Sequence, residues 1–106
     1  MSAVREKVRR LEQYLAVDDI ADRVIEQTVD KLIEREAARL TDLKERLERQ
    51  LAEFEKQYAM KTPVFYARFE RGELGDVIDF VEWSATFEMV ANLNKRLALL
   101  QEGVPR

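Results

Sequence analysis

The sequence predicts an all-α protein built from long helices. Its first 62 residues contain neither Gly nor Pro, and Pro63 is the first of either. They are rich in Leu, Glu, Lys, Arg, Gln and Ala, which have high helix propensities. Apolar residues recur every three or four positions, the period of an amphipathic helix. We expect one helical domain over residues 1–106, since this length supports a single core.

The first helix is predicted from an apolar stripe whose steps are four, three and four residues. The stripe consists of Val4, Val8, Leu11 and Leu15. Asp19 is a suitable N-cap for a second helix. A bend near residues 17–19 is therefore one interpretation, and a single continuous helix is the other, because no residue there forbids it. The predicted helices span residues 3–16, 19–60, 63–71 and 77–101.

The second helix changes character along its length. Its first part has a broad apolar face, which predicts contact with more than one neighbour: Ile20, Val24, Ile25, Val29, Leu32 and Ile33. Its second part has a narrow stripe with coiled-coil spacing: Ala37, Leu40, Leu43, Leu47, Leu51, Phe54 and Tyr58. A helix over 19–60 is about 63 Å long, more than the remaining residues can cover. We therefore expect a homodimer, a helical bundle with two-fold symmetry.

Two residues predict where the third helix begins. Thr62 suits an N-cap, and Pro63 suits the first helical position. We expect Gly72 and Gly75 to take positive φ in the turn that follows. Asp76 is then the expected cap of the last helix.

The last helix carries an aromatic-rich stripe and is expected to pack antiparallel to the second. The stripe consists of Phe80, Trp83, Phe87, Val90, Asn94 and Leu97, and the predicted buried face is widened by Ile78, Val81, Ala85, Met89, Leu93 and Leu100. A strand over 77–81 is the alternative for that segment. Asn94 has two interpretations: a buried Asn that fixes the register of helix pairing, or an exposed residue near the helix end.

Composition excludes several classes of function. The chain has no Cys and no His, so disulfides, thiolate nucleophiles and most nucleophile–base pairs are ruled out. Its net charge is −3, although residues 1–17 carry four bases against two acids, and we do not expect nucleic-acid binding. No apolar run approaches the ~20 residues of a membrane span. We expect a cytoplasmic protein without membrane contact.

Clustered carboxylates suggest an alternative function, that of a metal-dependent enzyme. Asp18 and Asp22 share a helix face, as do Asp79 and Glu82, and oxygen ligands of this kind bind divalent cations. All-α nucleotide pyrophosphohydrolases hold Mg²⁺ with paired carboxylates, but the spacing of their motif is missing here. Acids early in a helix also stabilise it through the helix dipole. We therefore expect no catalytic residue, no cofactor and no metal.

Residues 58–83 resemble a family of small, all-helical, largely uncharacterised prokaryotic proteins. The resemblance rests on the segments Tyr58-Ala59-Met60, Phe65 with Phe69, Gly72-Glu73-Leu74-Gly75-Asp76 and Glu82-Trp83. Such proteins are often encoded beside a small toxin-like gene and are proposed to be antitoxins. The resemblance thus implies a protein partner encoded by an adjacent gene. It supplies no catalytic residues, and Ala59 stands where the family pattern has Gly.

These observations predict a non-enzymatic, antitoxin-like interaction protein that binds its partner through an amphipathic helix. The expected contact residues on the first two helices are Val4, Val8, Leu11, Leu15, Ile20 and Val24. A second expected patch is formed by Phe80 and Trp83 with Asp79 and Glu82. The same patch can instead be internal, clamped by ion pairs from Arg68 or Arg71. A homodimeric coiled-coil scaffold and the Mg²⁺-dependent hydrolase are the alternatives to the whole prediction.

Overall fold

The protein is all-α in its computed structural model, which describes residues 2–103 except for the side chains of 19–21. The helices of this part are α1 (Ala3–Leu15), α2 (Asp19–Tyr58), α3 (Thr62–Glu70) and α4 (Ile78–Glu102). The predicted fold class is confirmed, and each predicted boundary agrees within two residues. The strand alternative for 77–81 is wrong, because α4 begins at Ile78.

The chain divides into two compact units, which are described separately. Unit 1 is Met1–Arg35 and unit 2 is Glu36–Arg106. Within unit 1, residues 16–18 are not helical, so the bend is confirmed and the continuous helix is wrong. Asp19 begins α2, but its predicted capping side chain lies outside the described residues. The expectations of a single domain and of a dimer stay predictions.

Unit 2 is held together by an antiparallel pairing of α2 with α4. Tyr58, at the end of α2, packs on Phe80, at the start of α4, with ring centroids 5.1 Å apart. At the other end, Leu40 lies near Leu99 and Leu100. The buried apolar residues of this core are Leu40, Leu47, Leu51, Phe65, Trp83, Val90, Leu93 and Leu97. The narrow stripe predicted for α2 is thus its packed face, and Asn94 is exposed.

Trp83 is the centre of this core. It has no exposed area, and its ring stacks on Phe65 of α3 with centroids 3.8 Å apart and planes 4° from parallel. Phe54 of α2 stacks on Trp83 with centroids 5.5 Å apart. Aromatic pairs of this kind contribute roughly 0.5–1.5 kcal/mol beyond the area they bury. One indole therefore joins three helices.

Thr62 plays a different part from the one its sequence position suggests. Lys61 is the N-cap of α3, and Thr62 is the first helical residue. The Thr62 hydroxyl accepts a hydrogen bond of 3.0 Å from the indole Nε1–H of Trp83. Its backbone N–H donates to the Glu55 carboxylate at 2.7 Å. The predicted cap is wrong because the buried indole needs an acceptor, and Thr62 is the residue that supplies it.

A residue in the left-handed backbone conformation follows each of α2 and α3. Ala59 follows α2 with φ of 52°, and the N–H of Met60 donates to the Glu55 carbonyl at 3.3 Å, the outer hydrogen bond of a Schellman motif. Gly72 occupies the equivalent position after α3 with φ of 74°, and Gly75 has φ of 75°, so both predicted conformations are confirmed. Asp76 does not cap α4, because the N-cap is Val77, which makes no side-chain capping bond.

Replacing Ala59 with Gly is expected to stabilise the protein. A non-glycine residue in the left-handed region carries a steric penalty that Gly lacks, so Ala59→Gly should raise the free energy of unfolding by about 0.5–1 kcal/mol. Ala52→Gly is the matched control, since Ala52 is exposed inside α2. It should lower that free energy by about 1 kcal/mol. Urea unfolding followed by circular dichroism measures both. Equal destabilisation by the two changes would contradict the expectation.

The hydrogen bonds of the Glu55 carboxylate should make the stability of the fold depend on pH. Hydrogen bonds from the backbone and side chain of Thr62 hold the pKa of Glu55 below its ordinary value of 4.5. A lowered pKa in the folded state contributes stability above pH 4.5, and this contribution is lost as the pH falls through the folded-state pKa. Glu55→Gln should therefore lower the free energy of unfolding at neutral pH. The difference in this free energy between the variant and wild type should shrink as the pH falls.

Urea unfolding at several pH values measures this difference. Glu53→Gln is the matched control, because Glu53 is an exposed carboxylate on the same helix. A difference between Glu55→Gln and wild type that stays constant from neutral pH to well below 4.5 would contradict the assignment.

Candidate partner-binding surfaces

The apolar stripe of α1 is exposed in this structure. Ser2 caps the helix, accepting a 3.2 Å hydrogen bond from the N–H of Val4. The stripe, here called the α1 face, consists of Val4, Val8, Leu11 and Leu15. Val4 is 68% exposed and Leu11 is 43% exposed, whereas Leu15 is half-buried. Apolar side chains spaced for one helical face and left uncovered on it are typical of a surface that receives another helix.

Basic residues outnumber acidic ones on α1. Arg5, Lys7, Arg9 and Arg10 are all exposed. Lys7 and Arg10 lie with Leu11 and Tyr14 around one shallow depression. The Tyr14 hydroxyl donates a 2.8 Å hydrogen bond to Asp18, which raises the pKa of Tyr14. The polar surroundings of this face are thus mainly cationic.

The part of α2 that belongs to unit 1 also exposes apolar side chains. Val24 is 61% exposed and Leu32 is 59% exposed, while Ile25 and Ile33 are half-buried. The side chain of Ile20 lies outside the described residues. None of the side chains described in unit 1 is buried. The described residues of unit 1 therefore form no apolar core, unlike those of unit 2.

The second predicted contact patch needs a correction at Trp83. Trp83 has no exposed area, and Phe80 is half-buried against Tyr58 and Phe65. A side chain with no exposed area cannot contact a partner in this conformation. The aromatic spacing of α4 gave no means of distinguishing an internal cluster from an exposed patch, because both require large apolar side chains at helical intervals.

The predicted ion pairs around that patch also differ from those in the structure. Arg68 and Arg71 lie within 3.5 Å and 3.1 Å of the Glu73 carboxylate, in the turn after α3. Their guanidinium groups lower the pKa of Glu73. Asp79 instead accepts hydrogen bonds from the side chains of Tyr58 and Gln57 on α2. The bond from Tyr58 also raises the pKa of that hydroxyl.

An exposed apolar surface on α4 was not anticipated. Ile78 is 72% exposed and Met89 is 49% exposed, and Val81 and Ala85 are exposed between them. These four residues, with steps of three, four and four, are called the α4 outer stripe. The helical spacing predicted that all four would be buried. That was wrong because α2 and α3 cover only one side of α4, although apolar residues extend beyond it.

Neither a metal site nor a membrane span is found in the described part of the chain. No group of three or more acidic side chains there is placed to hold a metal ion. Within the same residues, none of the helices combines the length and the apolar character needed to cross a bilayer.

Comparison of the chain with protein-family models, with curated proteins and with solved structures found no match. The candidate surfaces therefore rest on the geometry described above.

The burial of Trp83 is measurable, because it is the one Trp of the sequence. We expect weak quenching of its fluorescence by acrylamide in the native protein and several-fold stronger quenching after unfolding in urea. The physical reason is that the stacked rings and Thr62 keep the quencher from the indole. Native quenching equal to that of a free tryptophan derivative would contradict the burial and restore Trp83 as a surface residue.

Proposed function

We propose that this protein is a non-enzymatic, antitoxin-like interaction protein that binds a protein partner through the α1 face and the adjoining start of α2. The main support for the proposal is the exposure of the apolar side chains of unit 1. Its large apolar side chains are exposed in helical register, and none of its described side chains is buried. A partner helix laid along such a face buries these side chains, and that burial supplies the free energy of association.

The charge around this face indicates the chemistry of the partner. Four bases lie among the residues of α1, against the acids Glu6 and Glu12. A partner with acidic residues beside an apolar groove is electrostatically complementary to it. The resemblance of residues 58–83 to antitoxin-like proteins adds a source for this partner, the product of an adjacent gene.

The experiment compares two Glu substitutions on opposite sides of α1. Leu11→Glu places a charge in the α1 face, whereas Gln13→Glu places the same charge on the opposite side of the helix. Each protein is co-expressed with the product of the adjacent gene and analysed by size-exclusion chromatography with light scattering. We expect Leu11→Glu to weaken the complex by about tenfold or more, because the new charge loses its hydration in the interface. Gln13→Glu should leave the complex intact.

A complex that tolerates Leu11→Glu as well as Gln13→Glu would contradict the proposed surface. Absence of any complex with wild-type protein would contradict the proposed partner. The homodimeric scaffold is the second candidate function, favoured by the additional apolar surface on α4. A stable dimer that ignores the neighbouring gene product would support it.

A further inference from the structure

We propose that the α4 outer stripe is a homodimer interface, in which two copies of the chain pair their α4 helices antiparallel about a two-fold axis near Met89. This surface belongs to unit 2 and is separate from the α1 face, so the inference does not rest on the proposed partner. Its occupant is a second copy of the same chain.

The apolar part of the surface is long enough for such a pairing. Beyond Met89 this face of α4 carries the polar residues Asn92 and Arg96, and then Leu99, which is 54% exposed. Ile78 and Leu99 are separated by about 32 Å along the helix axis. Exposed apolar residues along one face of a helix that is already packed on its other side are typical of helix–helix association.

The charges on α4 identify the occupant and its direction. Between Ile78 and Leu99 every acidic residue precedes every basic one, and the exposed ones are Glu82 and Glu88, followed by Lys95 and Arg96. Asp79 is half-buried and bonded to α2, so it is not part of this surface. A second α4 in antiparallel orientation places its basic end beside the acidic end of the first. Parallel pairing places like charges together, which is unfavourable. The helix is therefore complementary to a reversed copy of itself.

The register follows from the exposed residues. Antiparallel pairing centred on Met89 places Glu82 of one copy level with Arg96 of the other, and Ile78 level with Leu100, next to the exposed Leu99. It places the small Ala85 level with Leu93, next to the exposed Asn92, which allows the two helices to approach closely. Each pair occurs twice, as two-fold symmetry requires.

A cavity beside Met89 supplies a place for the side chain at the axis. It has a volume of about 400 Å³ and is lined by residues of α2 and α4: Leu43, Ala85, Glu88, Met89, Asn92, Leu93 and Arg96. This space is open to the surface, and an unbranched Met adapts to irregular spaces, which suits the side chain of Met89 from the second copy. Pairing of this kind closes on itself and gives a dimer without further polymerisation.

Charge reversal tests the register on the protein alone. Glu82→Arg and Arg96→Glu each create two repulsive contacts in the dimer, and we expect each to raise the dissociation constant by about tenfold. The double variant Glu82→Arg/Arg96→Glu restores opposite charges at both places and should recover dimerisation. Glu45→Arg, at an exposed Glu of α2, is the matched control and should leave dimerisation unchanged. Sedimentation equilibrium measures the constants, and circular dichroism verifies that each variant is folded.

Cross-linking tests the axis, because the chain has no native Cys. A short bifunctional thiol reagent should link Met89→Cys into covalent dimers. Asn94→Cys, exposed on the opposite side of α4, should not be cross-linked in the same reaction.

A protein that is monomeric up to millimolar concentration would overturn the proposal. A dimer that tolerates both single reversals, or fails to recover in the double variant, would overturn it as well. So would equal cross-linking at the two Cys positions.

Discussion

The fold of unit 2 depends on the buried, stacked indole of Trp83. The stack joins α4 to α3 through Phe65 and to α2 through Phe54, with the rings of Phe65 and Trp83 nearly parallel. The indole N–H is satisfied by Thr62, whose backbone N–H is in turn held by Glu55. Helix α3 has nine residues, too few for a stable isolated helix. It persists because Phe65 and Thr62 tie it to this cluster, and its position sets where the chain reverses from α2 to α4.

This arrangement uses one side of α4 and leaves the other side to solvent. The core-facing residues of α4 are aromatic in its first part, with Phe80, Trp83 and Phe87, and aliphatic further on, with Val90, Leu93 and Leu97. The α4 outer stripe lies outside these contacts. Unit 1 shows the same condition in a stronger form, because its described side chains include exposed apolar residues and no buried ones. The described chain thus contains one apolar core, in unit 2, and two exposed apolar surfaces.

Sequence periodicity was sufficient to predict the helices and the packed face of α2. It worked because Gly and Pro occur only near real helix ends, and because the steps from Leu40 to Tyr58 follow one face. It failed where an outcome depends on a tertiary contact. Thr62 has the chemistry of an N-cap, but the indole of Trp83 recruits its hydroxyl. On α4, the period shows that residues share a face but does not show which faces meet a neighbour, so the outer stripe was assigned to the core.

The two apolar surfaces differ in charge, and this difference separates the roles proposed for them. Helix α1 carries four bases and two acids, so two copies of α1 repel each other, and the proposed occupant of its face is a different, acidic surface. On α4 both signs are present and are separated along the helix, so a reversed copy of the same helix satisfies both. A mainly basic surface therefore favours an acidic surface of another protein, whereas a helix with opposite charges at its two ends favours a reversed copy of itself.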